Sequence, residues 1–206
     1  MAPSSPHGYV LARGFLKSSH VQAVAFPFQE LANLSWAFAR RACHIVPLSD
    51  SIASSAINLI FVECRSQELS NLAWSVAVLM LSHRPLFSAI AAASRPRSRV
   101  DAFRPQELAN MSWSCSRLAN PDCPLFQSIS AAALRRITLF PARELSNTAW
   151  AIARCSLPSD QPLLHAISSA AIARRGEFNF RVCANMSWAY SILLCCDDPL
   201  LESIAD

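Results

Sequence analysis

All five tryptophans of this 206-residue chain stand in one eight-residue motif. It reads QELANLSW at 29–36, QELSNLAW at 67–74, QELANMSW at 106–113, RELSNTAW at 143–150 and RVCANMSW at 181–188. Trp36, Trp74, Trp113, Trp150 and Trp188 are separated by 38, 39, 37 and 38 residues, and Pro47, Pro85, Pro124, Pro162 and Pro199 follow them by 11 or 12. A fixed period in the range of roughly 20 to 50 residues means an array of supersecondary units, each burying its apolar face against the next. Units begin near Phe26, Cys64, Phe103, Phe140 and Phe178, and each has room for two helices.

Composition agrees with helices. Only three glycines are present and hydrophobic residues make up 52% of the chain, so there is little of the turn chemistry that β hairpins need. In the first segment of each unit, Glu30, Glu68, Glu107 and Glu144 sit where a helix begins, with Pro105 beside one of them, and Val182 breaks the series. At about 100° per residue, Leu31, Leu34, Ser35, Phe38 and Ala39 share one face and Asn33, Trp36 and Arg40 a second. These two faces suit a helix packed on its partner and on the next unit. The second segment opens with Pro-Leu and keeps an Ile four residues after the Leu, as in Leu125 and Ile129 or Leu163 and Ile167, followed by alanines that permit close approach. The expected architecture is an all-α solenoid of about five helical hairpins over residues 26–206, the last one incomplete.

Burying an indole removes roughly 150 to 250 Å² from water, on the order of 4 to 6 kcal/mol as an upper bound, so the Trp row is expected to be first a packing device at the junctions between units. Asn33, Asn71, Asn110, Asn147 and Asn185 accompany it, and as buried amides they are expected to bond the backbone of the next unit.

The eight cysteines show no C-x-x-C and fall at scattered repeat positions, which reads as free thiols packed as small apolar groups. No metal site, cofactor or catalytic constellation is expected, because the histidines occupy different phases of the repeat and neither a nucleophile elbow nor a phosphate-binding glycine loop occurs. The longest stretches without Asp, Glu, Lys or Arg run 15 residues, short of the ~18 to 20 that span a bilayer, so no membrane association is expected. Residues 1–25 contain no acidic residue and several serines, which fits either an organelle transit segment or the second half of a degenerate unit.

The consensus F-x-P-Q-E-L-[AS]-N-x-[AS]-W-[AS]-x-[AS], followed by P-L-[FL]-x-[AS]-I, resembles the octotricopeptide repeat of organelle gene-expression factors, and similar repeats occur in the FAST-kinase-like proteins of mitochondria. Cys64 for Phe, Arg143 and Arg181 for Gln, and Cys183 for Leu depart from it. The resemblance implies a non-enzymatic protein of a mitochondrion or chloroplast that binds single-stranded RNA and acts on transcript stability, processing or translation, with other proteins of an organelle ribonucleoprotein complex as further partners.

Two sets of residues fit such a ligand. Three residues after each repeat proline stand Asp50, Ser88, Gln127, His165 and Glu202, which vary between constant Leu and Ile and are the candidate base readers, expected on one concave face. Solvent exposure alone also tolerates such variety. Seventeen of the eighteen basic residues are Arg, the side chain suited to forked phosphate contacts, although a GC-rich coding sequence produces the same bias. Arg95, Arg97, Arg135, Arg136, Arg174 and Arg175 recur toward the ends of second helices and are the candidate phosphate contacts, with a net charge of +4 behind them. A protein-interaction scaffold that holds a peptide or helix in the same groove is the alternative.

Overall fold

The computed structural model describes residues 26–42, 46–62, 64–80, 83–118, 123–155, 161–193 and 197–205. The expectation for residues 1–25 lies outside them. Among the described residues there is no strand, and every unit is a helical hairpin. The hairpins are α1 (Phe28–Arg40) with α2 (Val46–Leu59), and α3 (Ser66–Val78) with α4 (Arg84–Ser94). After the one-turn α5 (Arg97–Val100) come α6 (Pro105–Arg117) with α7 (Cys123–Arg135), then α8 (Ala142–Arg154) with α9 (Gln161–Ile172) and α10 (Phe180–Ile192) with α11 (Asp198–Ala205). Short 3-10 turns at Ile137–Leu139 and Arg175–Glu177 lead into α8 and α10.

The helix starts follow from the repeated chemistry of the motif. The carboxylates of Glu68 and Glu107 accept from the N-cap amides of Arg65 and Arg104, both at 2.9 Å, closing the reciprocal half of a capping box. Pro141 at the α8 N-cap has no N–H to offer, so Glu144 instead accepts from Arg143, and the amide of Ala142 donates to Glu177 at 3.0 Å. In α10, where Val182 replaces the Glu, the side chain of Asn179 takes over and accepts from the Val182 amide at 3.1 Å.

The hairpins stack into two layers. First helices pack on first helices in the order α1, α3, α6, α8, α10, and second helices on second helices, with the first layer the more closely spaced. Small side chains make that spacing possible. Ala32, Ser35 and Ala39 of α1, and Ala109, Ser112 and Ser116 of α6, are all buried. Buried hydroxyls such as Ser112, bonded to the Leu108 carbonyl at 2.9 Å, and Ser114, bonded to that of Asn110 at 2.7 Å, are satisfied within their own helix, whereas that of Ser70 has no partner among the described residues. The second layer presents the Leu and Ile of its Pro-Leu motif inward: Leu86, Ile90, Leu125, Ile129, Leu163 and Ile167 are all buried. Cys64, Cys115, Cys155 and Cys183 are thiols outside any disulfide, Cys115 fully buried.

Candidate nucleic-acid interface

Four sectors describe a central first helix. In α6, Ala109, Ser112 and Ser116 face one neighbour and Ser114 and Glu107 the opposite one, while Leu108, Met111 and Cys115 lie between them on the side of the second layer. The remaining sector, roughly 60° wide at 100° per residue, carries Gln106, Asn110, Trp113 and Arg117. α8 shows the same division more completely: every residue is buried except Arg143, Asn147, Trp150 and Arg154. The motif that holds every Trp of the chain is therefore the outward stripe of a close-packed layer.

The Trp row is thus not the buried core that the sequence suggests. Trp36 is 43% and Trp188 39% exposed, and Trp74, Trp113 and Trp150 are half-buried. The reason is rotational: the Trp position falls between the sector that meets the next helix and open solvent, so the three inner indoles are mostly covered but not enclosed, and Trp36 and Trp188 are more open. Neighbouring rings touch instead. Trp74 and Trp113 lie 6.5 Å apart between centroids at 32°, and Trp150 and Trp188 lie 5.8 Å apart at 31°. The guanidinium of Arg40 sits 5.4 Å from the Trp36 ring centre and that of Arg154 sits 5.7 Å from Trp150.

The asparagines also differ from expectation. Asn33 is exposed and Asn71, Asn110, Asn147 and Asn185 are half-buried, and among the described residues their amides are not bonded to the backbone of the next unit. Their donors and acceptors face the stripe. The full stripe comprises Gln29, Asn33, Trp36 and Arg40; Gln67, Asn71, Trp74 and Val78; Gln106, Asn110, Trp113 and Arg117; Arg143, Asn147, Trp150 and Arg154; and Arg181, Asn185, Trp188 and Ile192. Five of these are arginine and none is acidic; Glu68, Glu107 and Glu144 are buried in the layer, the first two bonded to N-cap amides and the third paired with Arg143, while Glu30 is exposed beside Gln29. Such a surface offers π faces, amides and positive charge, with the charge of Arg143 balanced in part by its pair with Glu144.

The positions singled out in the sequence fall elsewhere. Asp50, Ser88, Gln127, His165 and Glu202 are each the fifth residue of a second helix, all exposed, and so form a row on the second layer, apart from the stripe. The arginines divide. Arg95 and Arg175 are exposed, Arg97 is 3.6 Å from the Asp101 carboxylate, and Arg135 bonds the same carboxylate. Arg136 donates to the carbonyls of Asp101 at 3.0 Å and Val100 at 3.3 Å, and Arg174 donates to that of Thr138 at 2.9 Å and to the Glu177 carboxylate at 2.6 Å. Arg99 makes the equivalent reach to the Cys64 carbonyl at 3.0 Å. Arg99, Arg136 and Arg174 thus form a periodic clamp that ties the turn ahead of one first helix to the turn ahead of the previous one. Its signal in the sequence is an Arg four residues before the unit-opening Phe103, Phe140 and Phe178.

These contacts shift three titrations. A hydrogen bond from Arg135 holds the exposed Asp101 carboxyl below its usual range. The Ala142 amide and then Arg174 do the same for Glu177. Burial pushes the Cys64 thiol up, against the opposing pull of Arg99. Compared with known proteins, the sequence matches no family model and no curated protein.

Proposed function

We propose that the chain binds single-stranded RNA along the stripe of its first helices and acts in post-transcriptional control within a mitochondrion or chloroplast. The observation that carries the reading is that the side chains left outward by α6 and α8 are Gln or Arg, Asn, Trp and Arg, with Gln, Asn, Trp and Val on α3, a row of aromatic surfaces interleaved with amides and cations. Stacking on an aromatic side chain contributes about 1 to 3 kcal/mol per base, and arginines add a salt-dependent term through released counterions. The stripe holds no His, Cys, Ser or carboxylate, which supports binding rather than catalysis. The organelle assignment and the regulatory role rest on the resemblance to octotricopeptide repeats.

One observation favours a second reading, an extended peptide in the same place. Ring centres 5.8 and 6.5 Å apart come close to two residues of extended chain, about 6.6 Å, and repeated amides could hold a peptide backbone. The arginines and the absence of acidic residues on the stripe favour RNA. Filter binding with single-stranded RNA, duplex RNA and single-stranded DNA tests the proposal. The single strand is expected to be retained best, with log affinity falling linearly with log salt; equal retention of the duplex, or a flat salt response, rejects it.

A further inference from the structure

The stripe repeats two positions without change and varies two. Asn and Trp are the same in all five units, so they present identical groups to every nucleotide and discriminate nothing along a strand. The tail position is Arg in three units, at Arg40, Arg117 and Arg154, and apolar in two, at Val78 and Ile192. The head position, seven residues before each Trp, takes only two chemistries: Gln29, Gln67 and Gln106, then Arg143 and Arg181. All five heads are exposed or partly exposed. Gln106 and Arg143 also line one open groove of about 560 Å³ between the starts of α6, α8 and α10, with Pro141, Asn179 and the carboxylates of Glu144 and Glu177 on its walls, the first carboxylate paired with Arg143 and the second with Arg174.

The two chemistries match two bases. A carboxamide offers one donor and one acceptor, the complement of the N6 and N7 edge of adenine, whereas a guanidinium offers two parallel donors, the complement of O6 and N7 of guanine. Each head mismatches the other base, since a guanidinium sets a donor against the adenine amino group. The neighbouring indoles favour the larger purine face over a pyrimidine. The Arg143 fork is already oriented, because its Nε and Nη2 donate to Glu144 at 3.0 and 2.5 Å, which fixes its plane and leaves Nη1 and the second Nη2 hydrogen to a ligand.

We propose that the head residues set base preference, so that the units of Gln29, Gln67 and Gln106 select adenine and those of Arg143 and Arg181 select guanine. The preferred ligand is single-stranded RNA carrying a short adenine run beside guanines. The inference rests on the RNA reading of the stripe, and the experiment separates the two. RNAs retained by the full chain are selected from a random pool, for the wild type and for Arg143→Gln and Gln106→Arg. Both variants install a residue that other units carry at the head, and thermal melts check that each is folded. Wild type should enrich adenines followed or preceded by guanines. Arg143→Gln should convert one selected position from guanine to adenine, and Gln106→Arg should convert its neighbour the other way. In competition between two RNAs that differ at that base, each swap should change the preference by roughly tenfold to a hundredfold. Retained RNA with no base enriched, enrichment of uracil in place of adenine, or a selected sequence that neither substitution alters overturns the proposal and leaves RNA binding standing. A pool that is not retained at all overturns both.

Discussion

The two layers of the array solve the same stacking problem with different spacing and different outward faces. The first layer packs through Ala and Ser, which set a close helix spacing and leave one narrow stripe outward, and that stripe is nearly constant from unit to unit. The second layer packs through the Leu and Ile of its motif together with alanines such as Ala91, Ala132 and Ala171, stands more widely spaced, and varies on its exposed side, as Asp50, Ser88, Gln127, His165 and Glu202 illustrate. Constancy on an exposed stripe is the more informative of the two. Packing constrains buried positions and leaves open ones freer, so a large apolar ring repeated where it is only partly covered fits a ligand surface.

The comparison breaks most sharply in the shared core. Leu108 is 1% exposed and lies on the side of α6 that meets the second layer, so Leu108→Ala should lower unfolding free energy by about 2 to 5 kcal/mol in chemical denaturation. A loss below ~1 kcal/mol would mean that the layers are not joined there.

Size tolerance is next. Ala149 is fully buried between first helices, and Ala149→Leu should cost roughly 1 to 3 kcal/mol by forcing α8 off its neighbour. The same change at Ala131, exposed on α7 of the second layer, should stay within about 0.5 kcal/mol. Equal melting temperatures for the two variants would mean that Ala149 is not held between its neighbours.

Trp113→Ala sharpens the assignment of the stripe. Because its ring is only half-buried, truncation should weaken binding of single-stranded RNA by about 1 to 3 kcal/mol, while denaturant titration shows less loss than a core Leu gives. The reverse pattern, intact affinity with a large loss of stability, would return the indole to a packing role.

The smallest effect is that of acid. Asp101 and Glu177 both titrate below their usual values of 3.8 and 4.5, so the folded chain binds their protons less readily than the unfolded one. Their stabilisation is complete at neutral pH and is lost as pH falls through the depressed folded values. Asp101→Asn should flatten that acid limb of the melting temperature without moving its neutral plateau by much, because the pair with Arg135 is solvent-screened.

Much of the fold is legible in the sequence alone. The 38-residue period, the hairpins and the Pro-Leu-x-x-x-Ile stripe are readable because burial enforces a helical repeat on apolar residues. The Trp row reads wrongly as core because indole size argues equally for enclosure and for a platform. The better guide is its company: Trp36 shares a sector with Asn33 and Arg40, and side chains of that polarity do not line a helix junction. The arginine clamp is hidden for a different reason. Arg136 and Arg174 look like any basic helix end, and their partners are main-chain carbonyls of a turn some 35 residues back, which have no letter in the sequence.

That clamp makes the array unequal along its length. Each guanidinium fastens one turn to the one before, so neighbouring hairpins open together rather than one at a time, and cooperativity between them rises. The first hairpin lacks the fastening, because the position four residues before Cys64 is Ile60, whose side chain has no proton to donate to a carbonyl. Amide hydrogens of α1 and α2 therefore exchange with solvent ahead of those in α6 to α9, and the molecule comes apart from the hairpin at 26–62.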